Sequence, residues 1–252
     1  MKTLGIVAAM HEEAALLLQA MHGEVQRHRI GQRDYHVGRL HGRPCVLVLA
    51  RIGKVAAAAT TVTLIREFGV DAVIFVGVAG AVSPAVRVGD MVVAADLLQH
   101  DMDASPIFPR YEIPLLGCSR IAADPDLSTR LMHSANHFLQ QAFRQQIAAG
   151  TRRTFGLDAP RVHAGTIISG DCFVNDSAGV RRLREAVPDA LCVEMEGAAL
   201  AQICHEYDMP FAVLRTISDR ADDSAGVDFN AFLQQVARFY SAGVLREFLG
   251  KL

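Results

Sequence analysis

Five carboxylates each stand just past a short apolar run: Glu13 after Leu4–Met10, Asp171 after Val162–Ser169, Glu194 and Glu196 around the end of Leu191–Met195, and Asp219 after Phe211–Ile217. Sheets of the α/β class gather their ligands beyond the carboxyl ends of strands. Acids at those places are therefore candidates for general acid and base work. Each also has a plain structural use. Glu13 reads equally as a carboxylate favoured by a helix N-terminus, Asp171 as a cap on the turn after Gly170, and Asp219 as a helix cap or turn residue. Glu194 interrupts an apolar strand, where burial is costly unless the group is paired or hydrogen-bonded. Glu196 opens an apolar helix, and its spacing of two from Glu194 puts both carboxylates on one side of an extended strand.

The elements that must hold these acids show in the hydropathy pattern. Leu4–Met10, Cys45–Ala50, Ala72–Val78, Met91–Leu98, Val162–Ser169, Leu191–Met195 and Phe211–Ile217 are apolar without strict alternation, as strands buried on both faces are. Between several of them, Glu12–Met21, Lys54–Phe68, Leu127–Ala148, Ser177–Ala186, Glu196–Tyr207 and Phe229–Phe248 repeat apolar residues at three- and four-residue spacing, predicting helices. The expected fold class is α/β, a three-layer α/β/α arrangement around a central mixed, partly parallel twisted sheet. No linker or repeat divides the chain, so residues 1–252 read as a single domain. The stretch His100–Asp124 carries Pro106, Pro109, Pro114 and Gly117 and, at about 25 residues, is too long for an idle connection. It reads as a lid or a partner-contact loop. Arg220–Val227, charged and glycine-containing, reads as a segment that gates its neighbourhood.

Composition narrows the function. The 252 residues are 51% hydrophobic and 21% charged, with a formal net charge of -2 and no run rich in Lys or Arg, so neither nucleic acid nor an anionic membrane is an expected partner. No apolar stretch approaches the roughly 20 residues of a membrane span. Cys45, Cys118, Cys172, Cys192 and Cys204 are odd in number and lack a C-x-x-C pair, which fits a reducing, cytoplasmic setting. The first residues offer one positive charge ahead of Glu12-Glu13, unlike a signal peptide.

Several chemistries fail on spacing. Gly53-Lys54 resembles the end of a phosphate-binding loop, but the first glycine would fall at Val48 and Val55 replaces the Ser/Thr. Gly77-Val78-Ala79-Gly80 follows a strand without the spacing of a dinucleotide fingerprint, and suits close approach of backbone to a ligand. There is no G-x-S-x-G elbow. His133 and His137 share a helix face but lack further ligands, so no metal ion and no organic cofactor is implied.

The motifs Ala8-Ala9-Met10-His11-Glu12-Glu13, Ile52-Gly53-Lys54-Val55-Ala56-Ala57, Val88-Gly89-Asp90, Ser169-Gly170-Asp171-Cys172-Phe173, Val193-Glu194-Met195-Glu196 and Ile217-Ser218-Asp219 occur in that order. Together, from Lys2 to about Leu249, they make the chain resemble the 5'-methylthioadenosine/S-adenosylhomocysteine nucleosidases of the nucleoside phosphorylase superfamily. The resemblance implies a nucleoside phosphorylase-like fold and release of adenine by hydrolysis. It makes Glu13 the base that orients the attacking water, Asp219 the acid at the purine, and Glu196 the ligand of the ribose hydroxyls beside Met195. By the same likeness Phe173 would stack on the base, the backbone of Val174 would read its edge, and Arg215 would lie close to Glu196. Met10, Ile52 and Phe229 would wall the 5' substituent, with Val78 and Ser218 also among the binding residues. In the family the segment around Ile107 and Phe108 reaches across a two-fold interface, so a homodimer with shared sites is implied. Two positions depart from the family pattern: Val78 stands where serine is common, removing a hydroxyl near the sugar, and Cys172 stands where alanine is common.

The chemistry asks for such a set. Breaking an N-glycosidic bond builds positive charge on the ribose and negative charge on the purine, and carboxyl groups on opposite sides of the sugar serve both. A phosphorylase is the nearest alternative, but phosphate wants cations or several N–H donors, and Glu13 would repel it. A futalosine-type hydrolase also remains open, as does a non-catalytic nucleoside-binding protein, although pure binding has no use for a water-activating acid. No Lys/Arg cluster is evident near Met10 and Ile52, so an apolar thioether suits that wall better than a 5'-phosphate.

Overall fold

The computed structural model describes residues 3–220 and 229–250. The chain opens with β1 (Leu4–Ala8), α1 (His11–Ala20), β2 (Met21–Ile30), β3 (Arg33–Leu40) and β4 (Arg43–Leu49). It continues through α2 (Lys54–Phe68), β5 (Ala72–Ala81), β6 (Met91–Gln99) and β7 (Arg120–Ala122). Then come α3 (Pro125–Gln141), α4 (Phe143–Gln146), α5 (Ala149–Thr154), β8 (Val162–Ser169), α6 (Ser177–Ala186) and β9 (Ala190–Glu194). The last elements are α7 (Gly197–Glu206), β10 (Phe211–Asp219), α8 (Phe229–Phe232), a π-helical turn (Leu233–Ala237) and α9 (Arg238–Gly250).

The sheet is mixed and partly closes on itself. β5 is its pivot: its first half pairs in parallel with β1, Val73 to Gly80 pair in parallel with β10 on the other side, and its last residues pair antiparallel with β9. β10, β6, β8, β9 and β5 thereby form a ring, and β1, β4, β3 and β2 extend from it in that order. Alternation along each strand divides the core between two faces. Ile6, Ile74, Val76, Val93 and Leu214 pack under Leu17 of α1, Phe138 of α3 and Tyr240 of α9. Val7, Val73, Phe75, Val92 and Val213 face the other way, onto Leu64 of α2 and Leu200 of α7. This two-sided burial is why the strand sequences read as continuous apolar runs.

Three elements differ from the expectation. In the hairpin of β2 and β3, β2 is largely exposed and β3 buries only Tyr35 and Leu40, so its mostly polar residues carry no apolar period; a two-residue turn at Gly31 (φ 55) and Gln32 (φ 63) joins it. The helix expected over Leu127–Ala148 breaks at Ala142 (φ -114) into α3 and α4. The stretch His100–Asp124 is turns until Arg120–Ala122 adds to β6 as β7. Of the gating segment expected at Arg220–Val227, residues 221–227 lie outside the described residues. Among the described residues no helix is long and apolar enough to cross a membrane.

The packing of α3 on α9 is closest at Gly243. A Cβ there would lie 2.3 Å from the Phe138 ring, which is fully buried and cannot retreat. Gly243→Ala should therefore cost about 1–3 kcal/mol by overpacking. Gly150→Ala, where a Cβ would meet nothing within 4 Å, should be neutral or stabilising by up to about 1 kcal/mol. Urea midpoints at constant m-value check both.

Candidate active site

Glu13 is the third residue of α1, and its carboxylate folds back over the helix start. Oε2 accepts the Ala9 and Met10 N–H groups, both at 2.9 Å, and Oε1 accepts the Val78 N–H of β5 at 3.0 Å. The helix-terminal reading is thus realised, and the same carboxylate lines the pocket. Burial raises its pKa, against the opposing effects of these N–H donors and of Arg215. A carboxylate has about four acceptor positions, so three N–H donors leave one for a further donor in the pocket that Glu13 lines.

Arg215, on β10, has no exposed surface. The position beside it on β5 is Gly77, where a Cβ would lie 3.1 Å from the guanidinium and 3.2 Å from Glu13 Oε1. The glycine run thus admits the site's own charged groups as well as lining the pocket. Arg215 lies close enough to Glu196 for their charges to act on each other, as expected, and its ion pair is with Glu194, Nη2 to Oε2 at 2.7 Å. Phe75 covers the guanidinium at 3.9 Å. The same Glu194 carboxylate accepts the N–H groups of Glu196 (3.1 Å) and Gly197 (2.8 Å) at the start of α7, and the Ser169 hydroxyl. Glu194 is paired, as its burial requires.

Glu196 precedes α7, and its Oε1 accepts the Gly53 N–H at 2.8 Å. Burial, and next the charge of Glu194, push its pKa up to about 8, against Arg215 and the Gly53 N–H. Asp219 ends β10 beyond an irregularity in the β5 register and is buried; the Ser218 hydroxyl donates to its Oδ2 at 2.6 Å.

One pocket brings Glu13, Glu196 and Asp219 together with Met10, Ile52, Val78, Phe173, Val174, Met195, Arg215, Ser218 and Phe229. Phe173 and Phe229 meet edge to face at 6.2 Å. Ile52 and Phe173 are about half exposed at its mouth. Ile107 and Phe108 do not line this chain's pocket: Ile107 is 81% exposed and Phe108 half-buried.

The mouth is tied by residues that sequence reasoning assigned no such role. Lys54 Nζ reaches Asp101 Oδ1 at 2.6 Å and Gln99 Oε1 at 3.1 Å, and Asp101 Oδ2 accepts the Asp171 N–H at 2.9 Å. Asp171 caps α2 by accepting the Lys54 N–H at 2.8 Å, instead of capping the turn after Gly170. The one available signal was Asp101 following the β6 run. Arg51 adjoins Ile52 in the chain and lines, with His11, Arg29 and Arg33, a separate cleft that shares no lining residue with the pocket. Among the described residues no cluster of three or more His, Cys, Asp or Glu could hold a metal ion.

A family profile described as Phosphorylase superfamily matches residues 3–249. The 5'-methylthioadenosine/S-adenosylhomocysteine nucleosidase of Anoxybacillus flavithermus is 34% identical over 235 residues, 93% of this chain and 92% of that protein. Among solved structures, the 5'-methylthioadenosine/S-adenosylhomocysteine nucleosidase of Neisseria meningitidis in complex with methylthio-immucillin-A matches with a TM-score of 0.87 at 34% identity, covering 100% of both chains. The futalosine hydrolase of Helicobacter pylori matches with a TM-score of 0.84 at 32% identity, covering 100% of this chain and 98% of its own.

The position of Glu196 sets a pH dependence. With its pKa near 8 in the fold against an ordinary 4.5, the folded chain keeps a proton that the unfolded chain releases. That stabilisation is whole below the unfolded value and drains as pH rises to the folded one. Glu196→Gln, neutral throughout, should flatten part of the loss of stability between about pH 5 and about pH 8.5. Glu13, also raised by burial, leaves a residual slope of the same sign. Urea midpoints across that range decide it, and an unaltered slope would return Glu196 to an ordinary carboxylate.

Proposed function

Because the chain belongs to the phosphorylase superfamily, and within it to the 5'-methylthioadenosine/S-adenosylhomocysteine nucleosidases, we propose that its pocket carries out hydrolysis through Glu13, Asp219 and Glu196. The protein is an N-glycosyl hydrolase that cleaves the N-glycosidic bond of 5'-modified adenosines and releases adenine. A water held by Glu13 adds to the anomeric carbon while its proton passes to the Glu13 carboxylate. The electrons of the glycosidic bond leave with the purine, which takes a proton from Asp219. Glu196 holds the ribose hydroxyls, Phe173 stacks on the base beside the backbone of Val174, and Met10, Ile52 and Phe229 enclose the 5' substituent. Val78, Met195, Arg215 and Ser218 complete the binding residues, with Arg215 acting through Glu194.

The observation that carries water over phosphate as nucleophile is how the helix N-termini are used. The starts of α1, α2 and α7 would be natural seats for an anion. Their N–H groups instead hold Glu13, the pair Glu196 and Asp171, and Glu194. Lys54, the cation nearest a phosphate-loop pattern, is engaged by Asp101. A futalosine-type substrate is the second reading, favoured by the 32% identity to that hydrolase. The five cysteines are free, which supports a reducing, cytoplasmic setting.

Asp219→Asn should lower adenine release by about 10²–10⁴-fold, the usual contribution of a general acid, while nucleoside binding survives in part. Glu13→Gln should slow hydrolysis without unfolding the chain. Product analysis from 5'-methylthioadenosine with and without phosphate should give free ribose product in both; a phosphate requirement with a ribose 1-phosphate product would overturn the water nucleophile.

The working form is a homodimer whose 100–124 segment completes the neighbour's pocket. Exposed Ile107 and Leu115, large apolar side chains in a proline-rich loop, support this reading. Prolines lower the entropy cost of docking such a loop, and a closed two-fold pair makes both sites equivalent. Replacing Ile107 and Phe108 by Ser should raise KM for alkylthio substrates more than it changes kcat. A light-scattering mass of one chain at active concentrations would refute the shared site.

A further inference from the structure

None of Val88, Gly89 and Asp90 lines the pocket, yet the turn they form is bonded to the strand that carries Asp219. On the β6 side of β10 the antiparallel ladder runs from Leu214 opposite Val93 to Thr216 opposite Met91. The turn before β6 then takes both backbone groups of the next residue. Gly89 N–H donates to the Ile217 carbonyl and the Ile217 N–H donates to the Asp90 carbonyl, each at 2.8 Å. On the β5 side Ile217 pairs with Ala79, after which the register slips and Asp219 meets Gly80. Ser218 is thus an extra residue, and Asp219 emerges from a bulge whose aim depends on the residue fixed before it.

What fixes the turn is a buried carboxylate. Asp90 Oδ1 accepts the Arg161 N–H at 2.8 Å, while Oδ2 accepts the Arg87 N–H at 3.1 Å and meets His163 Nε2 at 2.9 Å. A carboxylate offers only lone pairs, so the imidazole is the donor. Three donors, from the turn itself and from the start of β8, compensate the burial of Asp90. Gly89 turns the chain at φ 86, which strains any residue with a Cβ.

We infer that Asp90 and His163 are positioning residues for Asp219: the pair holds the turn, the turn holds Ile217, and Ile217 sets where the bulge delivers the Asp219 carboxyl group. This rests on the proposed role of Asp219 as the acid at the purine, and it names the residues that aim that acid. Misplacing a reacting group by about 1 Å costs on the order of a hundredfold in rate. The rate of bond cleavage therefore depends on bonds made outside the pocket. Asp90→Asn sets its amide N–H₂ against a backbone N–H, that of Arg161 or that of Arg87, whichever way it turns. His163→Leu removes one donor and leaves both backbone bonds, and His163→Gln supplies a donor again.

The test is a double-mutant cycle in adenine release from 5'-methylthioadenosine. Asp90→Asn and His163→Leu should each lower kcat by about ten- to a hundredfold while KM changes by less than about threefold, the sign of a contact that matters only in the transition state. His163→Gln should recover most of that loss. In an Asp219→Asn background the same changes should have almost no further effect, because the acid they aim is gone. In a Glu13→Gln background they should multiply. Should Asp90→Asn show no urea unfolding transition, the two His163 variants complete the cycle. Losses that multiply in the Asp219→Asn background, a rise in KM alone, an unchanged kcat, or no recovery in His163→Gln would overturn the role. A wild type that released no adenine would remove the hydrolase reading and this role together, whereas a working wild type with losses that multiply in both backgrounds removes the role alone.

Discussion

A guanidinium without exposed surface is an expensive thing to fold around, and Arg215 is one. Removing a cation from water costs several kcal/mol even after relaxation, so the strand that carries it can be buried only if an anion is delivered to the same place. Glu194 is that anion, and the fold anchors it from three directions: Arg215 of β10, the first N–H groups of α7, and the Ser169 hydroxyl ending β8. One cation then serves a neighbourhood that also contains Glu13 and Glu196. It lowers the pKa of both, but burial acts more strongly, and both stay raised. Glu196, pushed up to about 8, can hold a proton near neutral pH, which a carboxylate in a fully paired ionic cluster would not.

The helix starts translate this shortage into a choice of chemistry. Peptide N–H groups at a helix N-terminus favour an anion without specifying whose it is. In this fold they are occupied by side chains of the chain itself, so the space they border is offered to neutral groups, water and sugar hydroxyls. Two glycines make the approach physically available. Gly77 leaves room for Arg215 and Glu13 against β5, and Gly53, at φ 100, turns its N–H onto Glu196 with Asp171 3.1 Å from where a Cβ would be.

What could be read in the sequence and what could not follow from the range of the interactions. The seven apolar runs are strands because two-sided burial leaves an unbroken local signal, and the acids at their ends are local to them. The hairpin of β2 and β3 was illegible because β2 is exposed and β3 buries only Tyr35 and Leu40, too few and too far apart to make an apolar period. Arg215 was placed near the right carboxylates, yet the choice between Glu194 and Glu196 depends on where α7 begins relative to β9, a matter of turn geometry. Asp171 was correctly given a structural role but on the wrong element, since α2 lies more than a hundred residues away in sequence. That Arg29, Arg33 and Arg51 line one cleft was equally invisible, because it depends on β2 pairing with β3 and β3 with β4.

The pocket is consequently built in two regimes. Its floor is buried, charged and cross-linked, with Glu13, Glu194, Glu196 and Arg215 each held by two or more named bonds or by the field of the others. Its mouth is made of exposed apolar groups such as Ile52 and Phe173, tied together through the polar knot of Lys54, Asp101 and Asp171. The first regime offers dipoles that are fixed in advance and cost nothing to reorganise during a reaction. The second offers apolar contacts, which discriminate weakly between alkyl groups. Groups that differ only beyond the ribose and adenine therefore meet the apolar mouth and not the buried acids, which are held alike whatever lies there.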